Sequence, residues 1–126
     1  MIQKFQCGKN EIELRLPDSA IIYESHFPEA DGSSLDIVMK SMRNPIDCSH
    51  LEELALSKKA GDAVIVVSDI TRPIPYHSFL SQICLILENS GVKQEEIVIL
   101  IATGMHRPST QKEQIEMFGI EVFNKY

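Results

Sequence analysis

The sequence lacks the segments that would place the chain in a membrane or outside the cell. No apolar run approaches the roughly 20 residues that a helix needs to cross a bilayer. Residues 1–5 also lack the long apolar core of a secretion signal. The 3 cysteines are scattered and form no CxxC pair. We therefore expect free thiols and a cytoplasmic location.

Basic residues are also few. The 126 residues include 12 Lys and Arg against 18 Asp and Glu, a formal net charge of −6. Binding to nucleic acid or to an anionic membrane depends on clustered basic side chains, so we expect neither as a main partner. The only adjacent basic pair, Lys58-Lys59, is predicted to lie at the C-terminus of a helix, where cations are stabilised. The length corresponds to one domain.

Several catalytic and binding motifs are absent as well. The chain has neither the Walker lysine motif nor the GxGxxG fingerprint of nucleotide-binding loops. It has no GxSxG elbow, so Ser68 is not expected to be a hydrolase nucleophile. No cluster of His, Cys and carboxylate residues has the spacing of metal ligands, so we assign no metal to this chain.

The chain does contain two short, purely apolar runs, at residues 64–67 and 97–102. A run without polar alternation predicts a strand that is buried on both faces, as in a parallel sheet. One helix-patterned segment separates the two runs, which predicts a strand–helix–strand crossover with parallel neighbouring strands. The predicted fold class is α/β: a small, mostly parallel, Rossmann-like sheet preceded by an N-terminal β-hairpin.

The remaining elements are predicted from local patterns. Alternating residues in 2–6 and 11–16, around a turn at Cys7–Asn10, predict the hairpin. Residues 20–23 are a candidate third strand. Helices are predicted from apolar stripes with a cap or a breaker at one end: about 35–43 after Ser33 or Ser34, a short helix opened by a capping box at Ser49–Glu52, about 76–89 before Gly91, and one from a capping box at Thr110–Glu113 to about Met117. Residues 120–126 are left unassigned.

Polar residues follow both central strands at the point where each strand ends. Asp69 and Arg72 follow the first strand, and His106 follows the second. Because ligands bind outside the carboxyl ends of parallel strands, we expect these side chains to meet in one crevice. Imidazole titrates near neutral pH, which suits proton transfer. A guanidinium in a proline-stiffened segment suits recognition of a carboxylate.

Each of these residues also has a purely structural interpretation. Asp69 could form a turn or cap a helix, as Asp often does. Arg72 could form an ion pair with Asp69, and His106 could lie in solvent. Thr103-Gly104, with Ser109-Thr110 at the start of a helix, could instead hold an anion through backbone amides.

Taken together, two segments resemble the nickel-dependent lactate racemase family. They are residues 68–73, Ser-Asp-Ile-Thr-Arg-Pro, and residues 102–108, Ala-Thr-Gly-Met-His-Arg-Pro. The hairpin with its Gly8-Lys9 turn and the Asn44-Pro45 break before the Leu-Glu-Glu-Leu helix extend the likeness. The resemblance covers nearly the whole chain and corresponds to the N-terminal part of that family.

The resemblance implies an enzyme that interconverts the stereoisomers of a 2-hydroxy acid such as lactate. The cofactor it implies is a nickel-pincer nucleotide, which takes a hydride from the substrate Cα and returns it to the opposite face. By the same resemblance, His106 is the acid/base on the hydroxyl, Arg72 binds the carboxylate, and Asp69 supports the histidine or the cofactor. Thr71, Thr103, Gly104 and Arg107 are implied as cofactor-binding or supporting residues.

The sequence departs from that family in one respect. The cofactor-tethering lysine, a nickel-ligating histidine and a second acid/base histidine lie further along family chains than residue 126. We therefore expect residues 1–126 to be the N-terminal catalytic domain of a longer two-domain enzyme, inactive alone, retaining no cofactor, and able to self-associate. The alternatives are a non-catalytic α/β module that binds a nucleotide or anion at the strand ends, and a structural fragment without a site.

Overall fold

The chain begins with an antiparallel hairpin and continues with helices and a pair of parallel strands. The computed structural model describes residues 1–8, 10–58 and 61–126. Within them, no helix has both the length and the apolar character needed to cross a membrane. The elements are β1 (Ile2–Cys7), β2 (Asn10–Arg15), α1 (Ser34–Met42), α2 (Leu51–Ser57), β3 (Ala63–Ser68), a 3-10 turn (Tyr76–Ser78), α3 (Leu80–Asn89), a second 3-10 turn (Gln94–Glu96), β4 (Ile97–Ala102), α4 (Gln111–Phe118) and α5 (Ile120–Lys125).

The N-terminal hairpin is confirmed. Strands β1 and β2 pair antiparallel from Ile2 opposite Arg15 to Cys7 opposite Asn10. Part of the predicted turn, Lys9, lies outside the described residues, as does Lys59 of the basic pair. The predicted third strand at 20–23 is wrong, because this segment pairs with no strand in the described chain and leaves the Tyr23 side chain 92% exposed.

The parallel pair is also confirmed. Strand β3 pairs with β4 from Ala63 opposite Ile97 to Ser68 opposite Ala102, with α3 between them in the chain. One face of this pair packs on the helices. Val67 belongs to a buried cluster with Leu80, Phe118 and Val122, and Ile97 belongs to a second cluster with Cys84 and Leu87. The observed class is therefore mixed α/β, with an antiparallel hairpin and a parallel strand pair.

The prediction that both faces of these strands are buried is wrong. The alternate residues Val64, Val66, Val98 and Leu100 are 57, 63, 47 and 50% exposed. Their registered pairs, Val64 with Val98 and Val66 with Leu100, form one continuous apolar face. In the described chain, the packed helical residues contact the opposite face, so an apolar run here produced a strand that is buried on one side only.

Two of the three predicted N-terminal helix caps are confirmed. Ser33 caps α1 through a reciprocal box with Asp36, and Thr110 caps α4 through the same box with Glu113. The box predicted at Ser49–Glu52 is wrong. Helix α2 begins at Leu51, so His50 takes the cap position and makes no side-chain cap bond. Ser49 lies one residue too early to reach the free amides of the first turn.

The helix predicted over 76–89 is interrupted. A 3-10 turn at Tyr76–Ser78 precedes α3, and Phe79 between them has φ −141°, outside the helical region. Tyr76 of this turn is buried in the core. Gly91 ends α3 as predicted, with φ +97° and an amide that donates to Glu88. The unassigned C-terminus forms α5, which places Val122 in the core.

Candidate functional site

The candidate site lies where the two parallel strands end. Ser68 and Ala102 are the last registered pair, so the segments that follow them leave the same edge of the sheet side by side. This register brings Asp69 and His106 together across 37 residues of sequence. Asp69 Oδ2 lies 2.5 Å from His106 Nδ1.

Asp69 is held in its position by its own loop. Its side chain is 8% exposed, and burial of a carboxylate is unfavourable unless hydrogen bonds satisfy it. Oδ1 accepts hydrogen bonds from the Thr71 hydroxyl at 2.5 Å and the Thr71 amide at 3.2 Å. The bonds from Thr71, followed by the bond from His106, lower the pKa of Asp69 below its ordinary value. The structural interpretation of Asp69 as a turn residue is therefore correct for Oδ1, while Oδ2 binds the histidine.

This pairing determines how His106 presents its two nitrogens. An ionised carboxylate can only accept, so the Nδ1 of a neutral His106 must carry the proton that it donates to Asp69. The lone pair of a neutral His106 is then on Nε2, for which the described residues provide no hydrogen-bond partner. The side chain is 55% exposed, so this nitrogen is open to a ligand. The arrangement is an oriented base next to a fixed negative charge.

The loop that carries His106 turns sharply at Gly104. Gly104 has φ +60°, a conformation that favours glycine, and the His106 amide donates to the Thr103 carbonyl at 3.0 Å across the turn. Thr103 is half-buried, whereas the Met105 side chain is fully exposed. The Thr103-Gly104 pair therefore aims His106 back toward Asp69.

Arg72 lies in the same segment as Asp69 but outside their contact. Its amide donates to the Asp69 carbonyl at 3.1 Å, and its own carbonyl accepts from the Ile74 amide at 2.8 Å. The guanidinium is exposed and forms no ion pair with the described carboxylates. The alternative of an ion pair between Arg72 and Asp69 is therefore wrong, because Thr71 and His106 occupy the carboxylate.

A cavity of about 290 Å³ opens at the contact between Asp69 and His106. Arg72 is not among its lining residues, which are Asp69, Ile70, Thr71, His106, Arg107 and Ser109. The structure thus brings together the predicted Asp69, Thr71, His106 and Arg107, with Thr103 and Gly104 forming the turn behind them. The sequence did not indicate Ile70 as a lining residue, and it indicated Ser109 only through the anion-binding alternative.

Glu113 is a contributor that the sequence indicated only as part of a capping box. Its carboxylate accepts two bonds from the Arg107 guanidinium, at 2.7 and 2.9 Å. It also accepts from the Thr110 amide at 2.8 Å. The Arg107 guanidinium, followed by the Thr110 amide, lowers the pKa of Glu113 to about 2. The six-residue separation of Arg107 and Glu113 belongs to no local motif, so only the fold reveals this pair.

Tyr76 is a second contributor that the sequence did not reveal. Its hydroxyl accepts from the Ser68 amide at 2.8 Å and lies 2.8 Å from the Ser68 hydroxyl. Tyr76 is 7% exposed and packs against Phe79 and Phe118. It therefore fixes the end of β3, one residue before Asp69.

The described residues do not form a metal centre. They contain no group of three or more His, Cys, Asp or Glu side chains that could hold a metal ion. His106 has one carboxylate neighbour, and that carboxylate is already bound by Thr71.

Comparison with known proteins identifies the family of this chain. Residues 7–126 match the family model described as the lactate racemase N-terminal domain. The chain is 42% identical over 92 residues to the lactate racemase of Lactiplantibacillus plantarum, covering 73% of this chain and 21% of that protein. It is 37% identical over 118 residues to the lactate racemase of Thermoanaerobacterium thermosaccharolyticum, and this match covers 89% of this chain and 26% of that protein.

A solved structure shows the same fold. The lactate racemase apoprotein from Thermoanaerobacterium thermosaccharolyticum superposes with a TM-score of 0.67 at 31% identity, over 97% of this chain and 28% of that one. The chain thus spans between about a fifth and just over a quarter of the length of these relatives. The residues described here belong to the lactate racemase family and correspond to its N-terminal domain.

Proposed function

We propose that this chain is the N-terminal catalytic part of an enzyme that inverts the stereocentre of a 2-hydroxy acid such as lactate. The observation that carries the proposal is the hydrogen bond from His106 Nδ1 to Asp69 Oδ2, which leaves Nε2 free at a cavity. Membership of a racemase family supports the class of reaction.

In this proposal, His106 moves a proton to and from the substrate hydroxyl. A hydride leaves the Cα of an alcohol more readily as its hydroxyl loses a proton, so a base must lie within about 3 Å of that oxygen. Nε2 takes the hydroxyl proton, and the resulting imidazolium is stabilised by Asp69. The low pKa of Asp69 keeps the carboxylate charged, so it orients the histidine and does not take the proton itself. When the hydride returns, Nε2 gives the proton back.

The resemblance assigns the storage of the hydride to a nickel-pincer nucleotide. The described residues contain no group of three or more His, Cys, Asp or Glu side chains that could hold a metal ion. We therefore assign no nickel ligand and no step on the cofactor to this chain. The cofactor ligands belong, in this proposal, to a second domain of a longer enzyme, which would also complete a Rossmann-like sheet around β3 and β4.

Arg72 is proposed to bind the substrate carboxylate. Pro73 follows it, two backbone bonds fix its turn, and its guanidinium has no carboxylate partner in the described chain. A planar fork held in this way can bind both oxygens of a carboxylate. Such a contact would orient the Cα and the hydroxyl of the substrate relative to His106.

The remaining predicted residues are proposed to support this arrangement. Thr71 holds Asp69 Oδ1, Thr103 and Gly104 form the turn before His106, and Arg107 is bound by Glu113. These contacts favour a supporting role over direct contact with a cofactor.

The anion-binding alternative is disfavoured by what occupies the start of α4. The Thr110 amide, which would face an anion there, already donates to Glu113. An incoming phosphate would meet the negative charge of that carboxylate.

Other properties of the whole protein are part of the same proposal. A reducing, cytoplasmic setting fits the free thiols of Cys7, Cys48 and Cys84. Self-association of the isolated chain would follow from the exposed apolar face of β3 and β4.

The test is a chiral assay on the full-length, cofactor-loaded protein with single enantiomers of 2-hydroxy acids. We expect conversion of at least one acid, and a loss of about 100-fold or more in kcat for His106→Ala. His77→Ala is the matched control, because His77 is exposed in the 3-10 turn and lies outside the cavity lining. No conversion with bound cofactor, or equal activity of the two variants, would contradict the proposal.

A further inference from the structure

We propose that Glu113 is a positioning residue that withholds Arg107 from Asp69 and so preserves the Asp69–His106 pair. This inference rests on the proposed function for its consequence in catalysis. Its structural content is a competition between two hydrogen-bond donors, His106 and Arg107, for one carboxylate. Glu113 decides that competition by binding the stronger competitor.

Arg107 is well placed to compete. It is the neighbour of His106 in the chain, and both residues line the cavity that contains Asp69. The negative charge of Asp69 is one of the causes that raise the pKa of Arg107, after the larger influence of Glu113. A guanidinium binds a carboxylate through two parallel hydrogen bonds, whereas an imidazole can offer one. An unrestrained Arg107 would therefore displace His106 from Asp69.

Glu113 is the more buried partner of this pair, and the Arg107 guanidinium also donates to the Pro108 carbonyl at 3.0 Å. The Glu113 side chain is 19% exposed, and that of Arg107 is 65% exposed. Glu113 lies in the first turn of α4, whose C-terminal residues Met117 and Phe118 are buried in the core. The Thr110 hydroxyl adds a bond to the same carboxylate at 3.0 Å. The core-anchored helix thus holds the arginine, and the arginine does not hold the helix.

The capping box alone does not account for Glu113. A box requires only the reciprocal bonds between the Thr110 and Glu113 positions, and Gln serves in it as well as Glu. The negative charge of Glu113 and its bidentate contact with Arg107 are not required by the box. Glu113→Gln therefore keeps the cap and weakens the hold on Arg107, which separates the proposed role from a structural one.

The experiment reads the tautomer of neutral His106 by nitrogen NMR of ¹⁵N-histidine-labelled full-length protein. The His106 signals are assigned by their loss in His106→Asn. In the unaltered protein, we expect the proton on Nδ1. In Glu113→Gln, we expect the Nδ1-protonated form to fall from the majority to the minority. The double variant Glu113→Gln/Arg107→Leu should restore it, because the competitor is gone.

The outcomes distinguish this inference from the proposed function. Retention of the Nδ1 proton in Glu113→Gln would overturn it, as would failure of the double variant to restore the tautomer. Helix content by circular dichroism checks that the cap survives in each variant. The tautomer is measured without substrate or cofactor, so an absence of racemase activity would leave the result intact. If the protein is an active racemase and the tautomer is unchanged in Glu113→Gln, only the role proposed for Glu113 is rejected, and the proposed function stands.

Discussion

Residues 1–58 and residues 61–126 are held in place in different ways. All of the described residues that are buried lie in the second part, where two apolar clusters join β3, β4 and the helices. In the first part, β1, β2, α1 and α2 bury none of their described residues. Local bonds, such as the Ser33 cap and the β1–β2 ladder, define the hairpin and α1, whereas α2 packs Leu51 and Ala55 against the edge of one cluster.

The difference explains where the candidate site lies. A base must be held to a fraction of an ångström, which requires neighbours that are themselves locked by packing. Asp69 directly follows β3, and the last residue of that strand is bound by the buried Tyr76. Glu113 belongs to a helix that is anchored in the core. The first part offers no comparable support for a charged group. Predictions that compare matched residues in the two parts test this account.

The largest expected effect is on catalysis. Asp69→Asn keeps the size of the side chain but removes the charge that stabilises a protonated His106. We expect kcat of the full-length protein to fall by about 100-fold or more. Asp18→Asn is the control in the first part, where Asp18 forms an exposed bond to the N-terminal amine at 2.9 Å. Comparable losses of kcat in both variants would contradict this account, because the effect of Asp69→Asn would then not depend on the contact between Asp69 and His106.

The next effect is on stability. Leu80 is 1% exposed in the core of the second part, and Leu56 is 64% exposed in the first. Leu80→Ala should lower the free energy of unfolding by about 2–5 kcal/mol through lost burial and a residual cavity. Leu56→Ala should change it by less than about 0.5 kcal/mol. Urea unfolding measures both, and equal changes would contradict the described difference in packing.

A smaller effect concerns acid. Asp36 and Glu113 occupy the same capping-box position in the two parts, and both have lowered pKa values, by Ser33 for Asp36 and chiefly by Arg107 for Glu113. A carboxyl whose pKa is lower in the folded state stabilises the fold above its ordinary pKa. That contribution is lost as pH falls through the lowered pKa. For Glu113, the window extends from pH 4.5 down to about 2.

Unfolding measured across this pH range tests the comparison. Between pH 4.5 and about 2, the free energy of unfolding should fall less in Glu113→Gln than in the unaltered protein, because the variant has no carboxyl to protonate at this position. Asp36→Asn should reduce the fall in the free energy of unfolding by a smaller amount, since no arginine pairs with Asp36 in the described structure. A larger change for Asp36→Asn would be inconsistent with the proposed importance of the Arg107 pair.

The smallest expected effect is local. Ser33→Ala removes the cap of α1 and should cost about 1 kcal/mol of helix stability. Because α1 has no buried residue, we expect faster amide exchange in α1 and no change in β3 or β4. Thr110→Ala removes the matching cap of α4, where faster exchange should extend to the His106 loop. Hydrogen exchange followed by mass spectrometry compares the two variants.

The sequence was most informative where the determining interactions are local or periodic. The apolar runs predicted β3 and β4, and the boxes at Ser33 and Thr110 predicted two helix starts. Parallel strand ends then predicted that Asp69, Arg72 and His106 would meet, and the structure joins Asp69 and His106 while Arg72 lies outside the cavity lining. The capping box predicted at Ser49 was wrong, since a Ser-x-x-Glu pattern does not determine which residue takes the cap position.

Interactions between distant elements could not be predicted in the same way. The hydroxyl of Tyr76 binds Ser68, and Glu113 binds Arg107, because of how the 3-10 turn and α4 pack. The exposure of Val64 and Leu100 depends on which face the helices cover, and an apolar run carries no information about that choice. Arg72 is placed by its backbone turn, and its contact with a substrate carboxylate stays a proposal.

The central claim is that His106 acts on the hydroxyl and that the Cα hydrogen moves as a hydride. It is tested most directly with a 2-hydroxy acid that carries deuterium at Cα, converted by the full-length, cofactor-loaded protein in ordinary water. The account predicts that the product enantiomer retains its deuterium, since a stored hydride returns to the same carbon. Loss of the deuterium to solvent would show that a base removes a proton from Cα, which would contradict the role proposed for His106.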